Sequence, residues 1–379
     1  MPQTPPTQLA QRRRKAVADP VRLQTAALVI IAFAVVLFLL VQARFMLISL
    51  ATAIVLFSLT SDAISFIARQ RIGPLHIPNW LASIVAVLAI AAALLTLSSV
   101  VLSQVNTVLT TTLSYTERAP EAIAALFAWL GEDAQAAVFN SVATFDMGGN
   151  IRALAGQAGG LMQGSVLVIL FVGFLFAERI WFSTKLTNFV GDPAQADRVG
   201  RIVGSIIRRV NRYLLVKTLV SVVTGIMVWF VAKLFGLELA TALGIVTFIL
   251  NYIPNIGSII ATALVALVTY VQLADPTQTG LIFLVVGTIQ FVNGNIIDPM
   301  LMGRALRLSS FGIIISLAFW GAVWGIPGMF LSVPIMVALM IVCSEIPAVR
   351  PVAILLSREG LPEPETQPDR APRMTEAAE

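Results

Sequence analysis

Cysteine and histidine are almost missing: the 379 residues contain one of each, Cys343 and His76. One thiol excludes an internal disulfide and a multi-cysteine metal centre, and one imidazole excludes a multi-histidine metal site. Charged residues make up only 12% of the chain, about half their share in soluble domains. The HExxH, GxSxG and GxxxxGK[ST] patterns do not occur. No enzyme activity, metal or cofactor is therefore expected, and an ATP-driven pump would need a partner to supply its nucleotide domain. The nearest enzymatic rival is an intramembrane hydrolase, and a lone His in a loop argues against its Ser–His dyad.

Apolar residues dominate instead, at 58% of the chain, with a mean hydropathy of +0.88. Runs of about 17–25 apolar residues recur, the length that crosses a bilayer as helix. The expected class is an all-α polytopic integral membrane protein of about eight transmembrane helices. The net charge of +5 sits beside the spans and forms no soluble basic domain, so nucleic acid is not an expected partner.

In order, residues 1–20 read as a disordered basic tail, and 21–102 as a three-helix membrane scaffold with spans at 23–41, 45–67 and 79–102. Residues 103–160 are moderately polar and net acidic, an extramembrane helical region with short helices expected at 121–130 and 133–142. Residues 161–349 form a C-terminal unit. Within it, 179–212 alternates Arg with Val and Ile at helical spacing, which suits either a membrane-surface helix or a solvated helix packed on the bundle. Residues 350–379, rich in Pro and Glu, read as a disordered tail. The excess of Lys and Arg at 1–20, 69–76 and 179–212 puts both termini in the cytoplasm.

The C-terminal unit departs from ordinary spans in three places. Asn251-Tyr252-Ile253-Pro254-Asn255-Ile256-Gly257 interrupts the apolar run 239–271. Pro254 cannot donate a backbone bond, and lipid cannot satisfy Asn amides, so the break must face protein or water. Trp324-Gly325-Ile326-Pro327-Gly328 interrupts the last apolar block, and Gln290, Asn293, Gly294 and Asn295 interrupt the span 279–297 before Asp298-Pro299 ends it. The two Pro/Gly breaks echo each other weakly, Ile253-Pro254 with Ile326-Pro327 and Val265-Ala266-Leu267 with Val337-Ala338-Leu339. Paired, oppositely oriented broken segments are the best sequence pointer to a transporter's binding site. We therefore expect two broken or re-entrant helical hairpins. Asn251, Asn255, Ser258, Gln290, Asn293 and Asn295 are candidate solute ligands, with interhelical glue as the alternative role of each. Pro254, Gly257, Gly294, Gly325, Pro327 and Gly328 are candidate hinge or gate residues. Asp298 is a candidate ion-coupling acid, or else a partner of Arg304 or Arg307. Lys217 reads as a snorkelling residue, and Asp62 and Glu178 as structural acids.

From about 161 to 357 the chain resembles the autoinducer-2 exporter family of bacterial permeases. The stretches that carry this are FLFAER (174–179), NRYLLVKTLVS (211–221), NYIPNIG (251–257), NIIDPMLMG (295–303) and FWGAVWGIPGMFLSVP (319–334). Asn255 stands where an aromatic is common in that family, and Asp298 where Glu is common. The resemblance implies a transporter of the bacterial inner membrane, a homo-oligomer with a pentamer among its assemblies, and a mobile transport unit made of the broken segments. It implies export of a small polar metabolite or quorum-signal-like solute, or Na+(Li+)/H+ antiport with Asp298 as carrier. A non-transporting scaffold and a channel are the remaining alternatives.

Overall fold

A computed structural model describes residues 6–69, 79–115, 131–143, 147–302 and 308–358, with isolated residues 120, 124 and 360. The described residues fold into helices: α1 (Pro6–Gln42), α2 (Arg44–Arg69), α3 (Asn79–Tyr115), α4 (Glu132–Ala143), α5 (Met147–Glu178), α6 (Phe182–Val190) and α7 (Pro193–Leu234). They continue with α8 (Ala240–Leu250), α9 (Ile256–Leu273), α10 (Pro276–Val292), a π turn (Asn293–Ile297), α11 (Asp298–Met302), α12 (Ser310–Trp324), α13 (Ile326–Glu345) and α14 (Arg350–Leu356). Eight of them (α1, α2, α3, α5, α7, α9, α13 and the α10–α11 run) are long and apolar enough to cross a membrane.

Several expected boundaries move. Pro6–Gln42 is one helix, so most of the segment expected to be a disordered tail continues the first span; its Gln, Ala, Arg and Lys residues are good helix formers. Arg350–Leu356 is helical too and closes on α13, while the tail beyond 360 lies outside the described residues, as do His76, Arg304, Arg307 and the helix expected at 121–130. The helix expected at 133–142 is α4. The basic segment 193–212 is not a separate surface helix: it is continuous with the fifth span in the 42-residue α7. Asp192 starts that helix by accepting the N–H of Ala194 at 2.9 Å, with Pro193 in the first turn. The span 279–297 does not end at Asp298-Pro299 either. Pro299 has no N–H for the carbonyl of Asn295, so the ladder widens into the π turn and the helix resumes to Met302.

Two cores divide the molecule. Ala53 of α2, Ala86 and Ile90 of α3, and Val168, Val172 and Phe176 of α5 pack together, and Ser98 bonds Ser165 across α3 and α5 at 2.9 Å. The fourth span thus packs with the N-terminal scaffold, although the sequence grouped it with the C-terminal unit. The second core surrounds α7, which runs through the C-terminal half. Near one end Val228 and Ala232 meet α8, α9 and α10; near the other Val210, Tyr213 and Leu214 meet α13.

Both breaks are hairpins whose ends close on themselves. Gln272, near the end of α9, accepts the Glu238 N–H at 3.1 Å and donates to the Gly236 carbonyl at 3.2 Å. The second block closes where Ser309 N–H reaches the Leu356 carbonyl at 2.8 Å. The base of the first lies at the C-terminal end of α7 and the base of the second beside Val210–Leu214, so the hairpins point in opposite directions. α8 has 11 residues, about 16 Å of helix against a hydrocarbon core of about 30 Å, so it enters without crossing. The hairpins meet inside, with the Tyr252 and Phe330 rings 4.4 Å apart.

Candidate functional site

In an otherwise apolar α7, Tyr213, Lys217, Ser221 and Thr224 recur at helical spacing, and all four are buried. This stripe faces the tip of the first hairpin and the π turn. Lys217 Nζ lies 2.7 Å from Asp298 Oδ2, the side chains being 5% and 16% exposed. Beside it Tyr252 Oη donates to Thr218 at 2.8 Å, and Asn251 Nδ2 donates to Ser221 at 3.0 Å. Further along, Asn293 Nδ2 donates to Thr224, whose own hydroxyl bonds the Val220 carbonyl at 2.7 Å. Four contacts thus stitch one face of α7 to two broken elements.

This seam is not fully satisfied. Gln290 is buried with neither amide atom bonded among the described residues, and Asp298 Oδ1 and Tyr213 Oη are buried in the same condition. A buried polar atom without a partner costs about 1–3 kcal/mol, more if charged. A carboxamide offers two donors and an acceptor, so Gln290 is equipped to bind a hydroxylated guest.

The geometry sorts the sequence candidates. Asn251, Gln290, Asn293 and Asp298 converge on α7. Asn255 does not: it is an exposed tip residue with φ 61° and ψ −50°, and its carbonyl accepts the Ser258 hydroxyl at 2.9 Å. Ser258 is thereby engaged within its own hairpin. Asn295 is exposed and donates to the Phe291 carbonyl of its own helix at 3.0 Å. Lys217 is not a snorkelling residue, because its ammonium has the Asp298 carboxylate inside the bundle. Glu178 pairs with exposed Lys185 instead of facing the bundle.

The hinge candidates also separate. A Cβ on Gly257 would lie 1.7 Å from the Leu250 carbonyl oxygen, and one on Gly328 2.0 Å from that of Trp320. Only glycine allows these two arms to close. Gly325 holds φ 67°, ψ −144°, a region open essentially to glycine, and Pro327 sits in the first turn of α13. Pro254 is a half-buried tip residue whose carbonyl accepts the Ile256 N–H at 2.7 Å. Gly294 has open space around it. The sequence reading missed the polar stripe of α7; its signal was the i, i+4, i+8, i+11 spacing of Tyr213, Lys217, Ser221 and Thr224.

Comparison with known proteins decides the family. The model of the AI-2E family transporter matches residues 27–348. The chain belongs to the AI-2E transporter family. It is therefore a multi-pass membrane transporter of a bacterial family and not an enzyme. Among its relatives, the AI-2 transport protein TqsA of Escherichia coli K12 is 32% identical over 203 residues, 53% of this chain and 57% of the relative. The "Putative transport protein" of Borreliella burgdorferi is 30% identical over 198 residues, 52% of this chain and 54% of the relative. The chain spans about half the length of the curated relatives it matches. In family terms, the three interruptions read from the sequence and the buried stripe of α7 all fall inside the matched region.

Proposed function

We propose that the protein is a secondary transporter of the bacterial inner membrane that exports a small, neutral, hydroxylated solute by alternating access along the α7 seam. The carrying observation is the buried Gln290 carboxamide, unpartnered beside a run of amides and hydroxyls. A polar guest would satisfy those atoms in a low-dielectric interior, where such bonds are strong. One relative's name, AI-2 transport protein, supports a signal-like solute of this chemistry. The positive-inside pattern supports cytoplasmic termini, with the basic end of α7 inside. The mobile unit in this reading is the pair of hairpins with α7, working against α2, α3 and α5, as a homo-oligomer.

Na+/H+ exchange is the second reading, and one observation weighs on it. The Lys217 ammonium stands 2.7 Å from Asp298, where a coupling metal cation would have to bind. That built-in cation favours protons over Na+ as the coupling species. Vesicles with an imposed pH gradient test both readings. Export of a hydroxylated solute that is lost in Asn251→Ala and Gln290→Leu supports the proposal. Solute-independent, Na+-driven dye quenching that survives in both variants would favour exchange. Single-channel currents would mark a channel, and altered abundance without any flux a scaffold.

A further inference from the structure

A second polar feature lies away from the seam. Between α6 and the N-terminal third of α7 is a cavity of about 500 Å³, lined by Phe182 and Leu186 on one side and by Asp197, Gly200, Arg201, Gly204 and Arg208 on the other. Two absences of side chain shape it. Gly200 leaves Leu186 as its nearest neighbour, 3.9 Å from where a Cβ would be, and the Arg208 guanidinium folds back to 3.3 Å from the equivalent point at Gly204. Arg201 and Arg208 are two helical turns apart and so share one face. Lys185 and Arg198 of the same basic end are engaged, with Glu178 and with Glu345. Asp197 is the one carboxylate in the lining, so the cavity is net positive.

Its position says what fills it. α5 is a membrane span that ends at Glu178, and α6 follows after a three-residue 3-10 turn. Ile180, Trp181, Phe182 and Phe189 are exposed there, Phe189 by 91%. A Trp and large apolar side chains at the end of a span belong at headgroup depth, with the apolar side toward acyl chains. We propose that the α6–α7 cavity binds the phosphate of an anionic phospholipid, with Arg201 and Arg208 on the phosphodiester and Phe182 and Leu186 against the acyl chains. A zwitterionic lipid cancels that attraction within its own headgroup, so the site discriminates by net charge.

The test is native mass spectrometry of the detergent-solubilised full-length protein, titrated separately with dioleoyl-phosphatidylglycerol and dioleoyl-phosphatidylcholine. Phosphatidylglycerol should bind first and about tenfold tighter. Arg201→Gln with Arg208→Gln should abolish the preference. Gly200→Leu, which fills the cavity and keeps both charges, should also abolish it, and it carries the test if the arginine variant fails to fold. Equal binding of the two lipids, or an unchanged preference in either folded variant, would overturn the proposal. Displacement of phosphatidylglycerol by millimolar inorganic phosphate alone would overturn it as well, marking a free-anion site.

Discussion

The two hairpins are built alike and furnished differently. In each, a short arm folds against a longer one, a glycine presses on the carbonyl of the preceding arm, and hydrogen bonds close the base. The first tip carries amides and a phenol that bond Ser221 and Thr218 of α7. The second carries indoles: Trp320 and Trp324 pack 4.6 Å apart, and Trp324 Nε1 donates to the Leu40 carbonyl of α1 at 3.0 Å. One backbone device therefore serves a polar seam in one place and an apolar brace on the scaffold in the other. The repeat makes the shape, and the side chains decide which copy can hold a solute.

The largest expected effect tests the seam's ion pair, for which the second hairpin has no counterpart among the described residues. Lys217→Met leaves Asp298 buried and unpaired, and should cost about 3–5 kcal/mol in chemical denaturation. Adding Asp298→Leu should recover most of that stability while transport stays lost. Recovery of both would make the pair purely structural. Next come the two pressed glycines. Gly257→Ala and Gly328→Ala force a Cβ onto backbone oxygen, and each should lose about 3 kcal/mol. A large loss at one and none at the other would break the likeness of the hairpins.

A smaller effect separates their roles. Asn251→Ala and Trp324→Phe each remove one interhelical bond, worth about 0.5–1.5 kcal/mol. Vesicle flux should fall about tenfold or more for Asn251→Ala, the equivalent of one such bond in the transition state, and hold for Trp324→Phe. Equal flux in the two would erase the distinction. The smallest stability change belongs to Gln290→Leu, neutral or stabilising by about 1 kcal/mol because no bond is lost, together with reduced flux. A destabilised Gln290→Leu with normal flux would make that amide a packing residue.

The breaks were legible because Pro, Gly and Asn are costly inside an apolar run whatever surrounds them. Which amide faces the seam was not. Asn251 keeps helical φ and ψ at the end of α8 and so still points at α7, whereas the positive φ of Asn255 turns it to the outside. The π turn likewise brings Asn293 inward and leaves Asn295 exposed. The partner of Asp298 was hidden for another reason. Arg304 and Arg307 are close in sequence, but the lysine that meets it is 81 residues away, and only the crossing of two spans brings them together. The continuity of α7 was obscured because a run of arginines looks the same at a membrane boundary as in a helix that passes through it.

The most direct test of the seam as a solute path uses the scarcity of cysteine. Cys343 is the single thiol and is buried, so Cys343→Ala gives a clean background. Ser221 and Ile282 are both 0% exposed, one on the seam and one in the apolar core beside it. In sealed vesicles, Ser221→Cys should react with a membrane-impermeant methanethiosulfonate added from either side in turn, and Ile282→Cys should not. If Ser221→Cys is as inert as Ile282→Cys from both sides, water never reaches the seam and the account of a path along α7 is wrong.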